Sequence, residues 1–354
     1  MKILLLNSFV NPGSGVSRVA IQIGNGLIDQ GHEVIMLTTG GISKEARFAI
    51  QKIPESINIE KFRKTDVIYC HYGILEPLSA YLKLKLKRPL VIHDHGTAFP
   101  WLFGGNAKIR YSLEFFMRIP SLWLADRIIT ISRFLERINW IVYRRKSTVI
   151  YNGITDNFSF SSVKREKIRK ELDLKKRIVV LFVGRWSPHK RIHKLIATIS
   201  DLRSIEPSLA LILIGSATYD RKYATKLLQV VEDHKDTVKY FGSLNDADLC
   251  GIYSAADIYA TYSSWEGFDL PIFEAMRSGI PIVAFNKGSH REFANIGLSL
   301  AQNSEQFKEM LLDLASNPEL RKKTALKHID YARKFSWKKS LDKIEEVLED
   351  VTNM

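Results

Sequence analysis

Short apolar runs alternate with longer amphipathic segments along the chain. Five such runs occupy the first 132 residues, and a helix is predicted between the first two, over Val16–Gln30. The runs are KILLLNS, HEVIMLTT, DVIYCHY, PLVIHDH and DRIITIS. Strands that are buried on both faces read as nearly continuous apolar runs. This rhythm therefore predicts a parallel sheet with helices on both of its faces.

The alternation of apolar runs and amphipathic segments is interrupted once and then resumes. Residues 151–162 (YNGITDNFSFSS) have the composition of a turn or linker, and a charged helix is predicted after them, over Val163–Leu172. A second series of runs follows: RIVVLFVG, LALILIG, TVKYFG, DIYATYS and PIVAF. At the end of the chain, apolar residues at helical spacing predict an amphipathic helix over Ser336–Asp350.

These patterns predict an α/β protein with two doubly wound, Rossmann-like domains. A chain of 354 residues exceeds what one hydrophobic core usually organises. We place the domains at residues 1–155 and 156–335, and expect the helix in residues 336–354 to pack back across the boundary. Doubly wound sheets bind ligands beyond the carboxyl ends of their strands. We therefore expect the two domains to face each other across a cleft.

Composition narrows the class of protein. Hydrophobic residues at 45% and charged residues at 25% are ordinary for a globular chain and exclude extended disorder. Cys70 and Cys250 are the only cysteines, which argues against structural zinc and favours a reducing, cytoplasmic location. No apolar run has the length of a membrane span. The net charge of +14, most of it in residues 1–155, favours an anionic partner.

Two loops after predicted strands are candidates for binding phosphate. The glycine-rich loop Asn11–Gly15 precedes the first helix, whose N-terminus favours an anion, although a tight structural turn is an alternative. In the second domain, Arg185 and Lys190 follow RIVVLFVG, and two long cations at this spacing can converge on a diphosphate. The alternative for this segment is a solvated basic loop.

The segment SSWEGFDLPIFEAM contains a pair of carboxylates. Pro271 suits the first turn of a helix, so Glu274 is predicted about one turn into that helix and Glu266 in the loop before it. Both carboxylates can then approach one ligand, one from the loop and one from the helix. A glutamate that merely complements the helix dipole is the alternative.

The order and spacing of these motifs resemble those of the retaining GT-B glycosyltransferases of family 4. The resemblance covers nearly the whole chain, and the interval of eight residues between Glu266 and Glu274 is its most specific feature. The motifs that carry it are GHEVIMLT, PLVIHDHGT, ADRIITIS, VIYNGI, VGRWSPHK, FGSLNDADLCGIYSAADIY and SSWEGFDLPIFEAMRSGIPIVAF.

The resemblance implies a donor site in the second domain. Arg185 and Lys190 would hold the diphosphate, Glu274 the ribose hydroxyls, and Glu266 would lie near the sugar. Asp269 stands where many relatives have glycine. The resemblance also implies His95 near the sugar or acceptor, with His93 and Asp94 as substitutes. The implied catalytic residues are His95, Arg185, Lys190 and Glu266. The implied donor-binding residues are Gly15, Gly184, Arg185, Lys190, Gly215, Ser243, Leu244, Glu266, Gly267, Phe268, Asp269, Leu270 and Glu274.

The activity implied is transfer of a hexosyl unit, with retention, from a nucleotide-diphosphate sugar to a glycan or lipid-linked acceptor. The N-terminal domain would lie on the acceptor side. No metal and no cofactor is expected, because cations can stabilise the leaving group. The mechanism would be a front-face step or a double displacement through Glu266. A nucleotide-sugar 2-epimerase and a non-catalytic GT-B subunit are the alternatives, and a nucleic-acid partner is not expected.

Residues 107–146 combine charge with aromatic side chains. They contain nine cations, three anions and seven aromatic residues. This interleaving, on helices of the domain that would bind the acceptor, predicts peripheral contact with the cytoplasmic face of an anionic membrane. An ordinary helix pair with solvated cations is the alternative.

Overall fold

The computed structural model divides the chain into two compact units. It describes residues 1–11, 14–53, 58–71, 73–96, 100, 105–218, 220–296 and 298–354. Unit 1 consists of Met1–Gly153 together with Ser336–Met354, and unit 2 consists of Ile154–Phe335.

Unit 1 contains a seven-stranded, fully parallel sheet in the order β3-β2-β1-β4-β5-β6-β7. Its strands are β1 (Lys2–Leu6), β2 (Glu33–Thr38), β3 (Ala49–Lys52), β4 (Val67–His71), β5 (Leu90–Asp94), β6 (Arg127–Thr130) and β7 (Thr148–Val149). Its helices are α1 (Gly15–Asp29), α2 (Glu76–Leu86), α3 (Gly105–Met117), α4 (Ile119–Leu124) and α5 (Arg133–Ile138), and α13 (Trp337–Thr352) from the end of the chain. A wider, π-type helical turn, Asn139–Tyr143, continues α5.

Unit 2 contains a six-stranded, fully parallel sheet in the order β10-β9-β8-β11-β12-β13. Its strands are β8 (Ile178–Val183), β9 (Leu209–Ile214), β10 (Val238–Tyr240), β11 (Ile258–Thr261), β12 (Ile282–Phe285) and β13 (Ser299–Ala301). Its helices are α6 (Ser162–Glu171), α7 (Ile192–Leu202), α8 (Arg221–Asp233), α9 (Asp246–Ala255), α10 (Leu270–Arg277), α11 (Ser304–Ser316) and α12 (Pro318–Ala332). This is the doubly wound architecture that the sequence predicts.

Strand order locates the place where each unit can bind a ligand. The order reverses between β1 and β4 in unit 1 and between β8 and β11 in unit 2. At such a reversal the loops beyond the strands diverge to opposite faces of the sheet and leave a crevice. In unit 2, this crevice lies where the loops after β8 and β11 begin.

Helix α13 closes unit 1 by packing on α1. The buried face of α13 includes Ile344 and Leu348, and Ser340 Oγ donates to the carbonyl of Tyr151 over 2.7 Å. His32 Nε2 lies 2.8 Å from Glu345 Oε1. Within the described residues, no helix combines the length and the hydropathy needed to cross a bilayer.

Candidate active site

The candidate site in unit 2 centres on Lys190. A short helical turn, Pro188–Lys190, follows β8 and brings this side chain to the loop after β11. Its Nζ pairs with Glu266 Oε1 and lies 3.6 Å from Asp269 Oδ1, and all three side chains are largely buried. Backbone bonds join the two loops, because Ser264 N–H donates to the carbonyl of His189 over 2.9 Å. The structure thus brings together three residues that the sequence predicts as a site.

Buried charges set the protonation states around Lys190. Burial alone would lower the pKa of Lys190, but the carboxylates of Asp269 and Glu266 outweigh it and raise the pKa. Burial and the charge of Asp269 raise the pKa of Glu266. The pKa of Asp269 is lowered, because Lys190 and His290 overcome the effect of burial. The site therefore keeps a buried ammonium at neutral pH.

His290 supports Asp269 and was not predicted from the sequence. Its Nε2 lies 3.0 Å from Asp269 Oδ2, and its Nδ1 lies 3.0 Å from the carbonyl oxygen of Phe285 at the end of β12. Gly288 permits this approach: its φ is +57°, and a Cβ there would lie 2.6 Å from the Glu266 carbonyl oxygen. The signal in the sequence is the tripeptide Gly288-Ser289-His290, which carries information only once the fold places it beside Glu266.

Arg185 and Lys190 differ in their surroundings. Arg185 is exposed at the start of the loop after β8, whereas Lys190 is nearly enclosed. Burial and the charges of Lys190 and Arg185 lower the pKa of His189 to about 3. The charges of both cations therefore act on one buried side chain, and Lys190 is held by the carboxylates of Glu266 and Asp269.

Helix α10 begins at Leu270, with Pro271 in its first turn as predicted. Asp269 precedes it in the left-handed conformation, with a φ of +70°. Gly267 is buried, and the ring of Phe268 stacks on Phe273 with centroids 4.3 Å apart. Because the Phe268 side chain is committed to this aromatic packing, its backbone is the part that a ligand could use.

Glu274 lies one turn into α10 and is buried. Its Oε2 accepts a hydrogen bond from the hydroxyl of Tyr253 over 2.8 Å, and the same hydroxyl lies 3.3 Å from the Pro271 carbonyl oxygen. Tyr253 is in the motif GIYSAADIY, but no role was predicted for it. The contact joins α9 to α10 and fixes the orientation of the carboxylate.

The remaining donor residues of unit 2 lie in neighbouring loops. Gly184 follows β8 and Gly215 follows β9, and a Cβ on Gly215 would lie 2.0 Å from the Gly184 carbonyl oxygen. The φ of Gly215 is +139°, so only glycine suits this crossing of two loops. Ser243 and Leu244 lie between β10 and α9, the former exposed and the latter half-buried. All four positions are therefore at the carboxyl edge of one sheet.

Two predicted residues belong to unit 1. Gly15 is the first residue of α1, while Pro12 and Gly13 of the same loop lie outside the described residues. His95 follows β5 and is buried. Its Nε2 lies 2.8 Å from Nδ1 of His71, which ends β4. Burial lowers the pKa of His95 to about 4, so the imidazole is neutral at pH 7.

The substitutes for His95 have other partners. His93 Nδ1 lies 2.6 Å from the hydroxyl of Tyr69. Asp94 Oδ1 accepts from Arg118 over 2.9 Å, and Asp94 Oδ2 accepts from Asn139 over 3.0 Å. Both side chains are therefore held by neighbours within unit 1.

Three histidines in unit 1 have ring nitrogens close enough to one another to be considered as metal ligands. Among the residues that the structure describes, only His71, His93 and His95 have ligand atoms so grouped, all within 4.8 Å. Two ligand nitrogens of one tetrahedral zinc ion lie roughly 3.3 Å apart, given Zn–N bonds of about 2.05 Å. The 2.8 Å separation between His71 and His95 is that of a hydrogen bond instead.

Family models match most of the chain. The model described as Glycosyltransferase Family 4 matches residues 13–158, and the model described as Glycosyl transferases group 1 matches residues 164–335. The protein belongs to the family 4 glycosyltransferases of GT-B fold. The resemblance identified from the motifs is thus confirmed.

Individual relatives agree with this family 4 assignment. An uncharacterized glycosyltransferase of Methanocaldococcus jannaschii is 25% identical over 301 residues, covering 84% of this chain and 78% of the relative. One of Haemophilus influenzae is 25% identical over 337 residues, covering 88% and 89%. The crystal structure of HepE from Anabaena in complex with UDP and glucose superimposes with a TM-score of 0.85 at 22% identity, covering 99% of this chain and 100% of that one. The last comparison shows the shared fold.

Proposed function

We propose that this glycosyltransferase moves a hexosyl unit, with retention of anomeric configuration and without a metal ion, from a nucleotide-diphosphate sugar to a glycan or lipid-linked acceptor. The observation that carries the proposal is the buried ammonium of Lys190, held between Glu266 and Asp269 at the carboxyl end of the unit 2 sheet. Crystal structures of HepE, which shares this fold, contain UDP or UDP-glucose. A UDP-linked hexose is therefore the first donor to test.

Each donor residue has a distinct task in this proposal. Lys190 and the exposed Arg185 bind the diphosphate and offset the charge that grows on it as the bond to the sugar breaks. Glu274, oriented by Tyr253, accepts hydrogen bonds from the ribose hydroxyls. The backbone of residues 267–269, which precede α10, and of Leu270, its first residue, faces the sugar and phosphate, where N–H groups favour an anion. Gly184, Gly215, Ser243 and Leu244 border the nucleotide.

The transfer step proceeds on one face of the sugar. The bond between the anomeric carbon and the phosphate oxygen breaks, the acceptor oxygen bonds to the same face, and its proton passes to the departing phosphate. Glu266 is already paired with Lys190, which suits electrostatic support of the oxocarbenium-like sugar better than nucleophilic attack. His95, fixed by His71 and neutral at pH 7, serves as a hydrogen-bonding group on the acceptor side, in unit 1.

Metal independence follows from the two cations. Fixed positive charge at the diphosphate supplies the leaving-group stabilisation that a divalent ion provides elsewhere. Activity should be unchanged by EDTA. Loss of activity in EDTA that Mg²⁺ or Mn²⁺ restores would contradict this part of the proposal.

The central experiment identifies the donor and then the product. A panel of nucleotide sugars is screened for thermal stabilisation, because a ligand selective for the folded state raises its stability. The donor that binds is then incubated with an acceptor, and the anomeric configuration of the product is read by NMR. Transfer with inversion would exclude retention. A 2-epimer formed without any acceptor would show an epimerase instead.

A further inference from the structure

Unit 1 exposes a cluster of large apolar side chains on consecutive helices. Phe116 on α3 is 65% exposed, Trp123 on α4 is 57% exposed, and Trp140 in the turn after α5 is 49% exposed. The full set comprises Ile109, Leu113, Phe116, Met117, Trp123, Trp140, Ile141 and Val142. We call these residues the outer apolar surface. A monomer in water normally presents polar groups at such positions.

The sequence spacing on α3 shows that its exposure is organised. Ile109, Leu113 and Phe116 follow one another at four and three residues, so they share one face of the helix. Its inner residues include the buried Tyr111 and the partly buried Phe115, whose ring lies 5.4 Å from that of Tyr143. Helix α3 therefore has one apolar face on the core and a second one in solvent.

The Phe115–Tyr143 contact joins two of the elements that carry the outer apolar surface. It places α3 beside the turn Asn139–Tyr143, which carries the exposed Val142. Arg118 lies between α3 and α4 with its guanidinium 5.6 Å from the Tyr143 ring centre. Helix α3 and the turn after α5, which both carry exposed apolar residues, are therefore packed together.

Exposed cations occur in the same segment of the chain as the outer apolar surface. Lys108, Arg133, Arg137, Arg144 and Lys146 are exposed within the same segment. The three acidic residues between positions 107 and 146 are Glu114, Asp126 and Glu136, and Asp126 is already paired with Lys83. Tryptophan is enriched at the level of lipid headgroups, and lysine and arginine are attracted to anionic lipid.

A buried network fixes the outer apolar surface to the strand that precedes His95. The guanidinium of Arg118 lies 3.2 Å from Glu76 and 2.9 Å from Asp94, and Asn139 donates to Asp94 over 3.0 Å. Asp94 therefore anchors both the start of α4 and the turn that carries Trp140. Because His95 is the next residue, whatever binds this surface is held at a fixed position relative to His95.

We propose that the outer apolar surface and its exposed cations dock unit 1 onto a bilayer that contains acidic phospholipid. The charge favours lipid over a second copy of the chain, because residues 1–155 carry 21 cations against 11 anions and like surfaces repel. The consequence for catalysis, access to a lipid-linked acceptor, rests on the proposed function. Docking itself does not depend on the proposed function.

The test measures sedimentation of the full chain with vesicles. Vesicles of equimolar phosphatidylcholine and phosphatidylglycerol should bind the protein at low salt, and pure phosphatidylcholine should bind it less. Binding should fall as the Debye length shrinks from about 10 Å at 0.1 M salt to about 3 Å at 1 M. Failure of the wild-type protein to sediment with the anionic vesicles would overturn the proposal.

Variants distinguish binding through the outer apolar surface from nonspecific adsorption of the protein to vesicles. The double variant Phe116→Ser/Trp123→Ser should lose at least tenfold in vesicle affinity. Its control, Ile205→Ser/Leu326→Ser, removes residues 66% and 59% exposed in unit 2 and should bind as wild type does. A third variant, Arg133→Gln/Arg137→Gln/Lys146→Gln, should bind the anionic vesicles less tightly. Its remaining vesicle binding should also depend less on salt concentration. Equal losses in the first variant and the control would contradict the assignment of the surface.

Two further measurements distinguish the alternatives. Sedimentation velocity should give a monomer for wild type and for Phe116→Ser/Trp123→Ser, and a wild-type dimer that this variant dissociates would show a second copy as the occupant. Thermal stabilisation by nucleotide sugar should be equal in all variants, because none alters the donor site. Failure of every donor to stabilise the wild-type protein would count against the proposed function and leave vesicle binding as an independent result.

Discussion

At the scale of single residues, Lys190 and Arg185 carry similar charges but require different experiments. Replacing Lys190 leaves Glu266 and Asp269 buried without their cation, and breaking a buried ion pair typically costs about 3–5 kcal/mol of stability. A loss of activity would then mix catalysis with unfolding. Arg185 is exposed, so its replacement tests the proposed contact with the diphosphate with a smaller effect on the fold than replacement of Lys190.

We predict that Arg185→Ala lowers kcat/KM by roughly 10²-fold, the magnitude typical of one lost transition-state contact. Its melting temperature should stay that of the wild type. Lys194→Ala is the matched control, since Lys194 is an exposed cation on α7 in the same part of the sequence. Steady-state kinetics with the identified donor give the comparison. Equal kcat/KM in Arg185→Ala and wild type would remove Arg185 from the phosphate site.

We predict that Tyr253→Phe weakens binding of the free nucleotide diphosphate, and that Glu274→Gln weakens it more. The hydroxyl of Tyr253 orients the carboxylate, and a hydrogen bond to a charged group contributes about 1.5–3 kcal/mol, or roughly tenfold or more in affinity. Tyr259→Phe is the control, because that buried hydroxyl bonds to the Val183 carbonyl. Calorimetry measures all three. Unchanged affinity in Glu274→Gln would exclude a ribose contact.

At the scale of elements, the sequence predicts what depends on local pattern. All ten predicted strands and the helices predicted at Val16, Val163 and Ser336 are confirmed. Their predicted boundaries differ from the observed ones by no more than two residues. The omitted strands β3, β7 and β13 are short and lie at sheet edges. An edge strand has one hydrogen-bonded neighbour and is partly solvated, so Ala49–Lys52 reads as polar and Thr148–Val149 is too short to show a period.

In the candidate site, too, local pattern predicts some residues, whereas others depend on contacts between distant parts of the sequence. The positions of Lys190, Glu266 and Glu274 could be predicted, because each lies in a loop or first turn after a predicted strand, whereas Asp269 was implied only by the family resemblance. The residues that orient them could not. Tyr253, His290 and His71 act through contacts with residues 21 to 24 positions away, and such contacts exist only after the sheet is assembled.

We predict that Glu76 makes unit 1 less stable as pH rises from about 4.5 to 7. Burial raises the pKa of Glu76 to about 7. The charge of Arg118 opposes this effect, but Arg118 also forms an ion pair with Asp94. Between the unfolded value of 4.5 and the folded value, only the folded state keeps the proton, so stability falls with pH and levels off above the folded value.

Glu76→Gln tests this, because an amide does not titrate. Hydrogen exchange in α2 and α4, which the Glu76–Arg118–Asp94 cluster joins, should slow with falling pH in the wild type beyond the intrinsic pH effect on exchange. The variant should lack that excess between pH 5 and 7. The same excess in both proteins would mean that another group titrates.

At the scale of the whole molecule, the chain leaves unit 1 after Gly153 and returns to it at Ser336. The two family models match residues 13–158 and 164–335, so neither includes α13. Yet α13 buries Ile344, Val347, Leu348 and Val351, and fully burying each such side chain contributes about 1.5–3 kcal/mol. The last helix is therefore a structural part of unit 1.

We predict that deleting residues 336–354 destabilises unit 1 and leaves unit 2 folded. Amide exchange should rise in α1, against which α13 packs, and protection of the unit 2 sheet should persist. Deleting only Asn353 and Met354, both exposed, is the control. Exchange in α1 that is identical in the two truncated proteins would show that α13 contributes nothing to the stability of unit 1.

The return of α13 has a consequence for synthesis on the ribosome. Residues 154–335 are translated between the two parts of unit 1, so unit 2 has its whole sequence available before unit 1 does. At about 5–20 residues per second, 182 residues take roughly 10–40 seconds, during which the α13-facing side of α1 has no partner from its own chain. Unit 1, whose first part is synthesised first, thus completes its fold only after the whole of unit 2 has been synthesised.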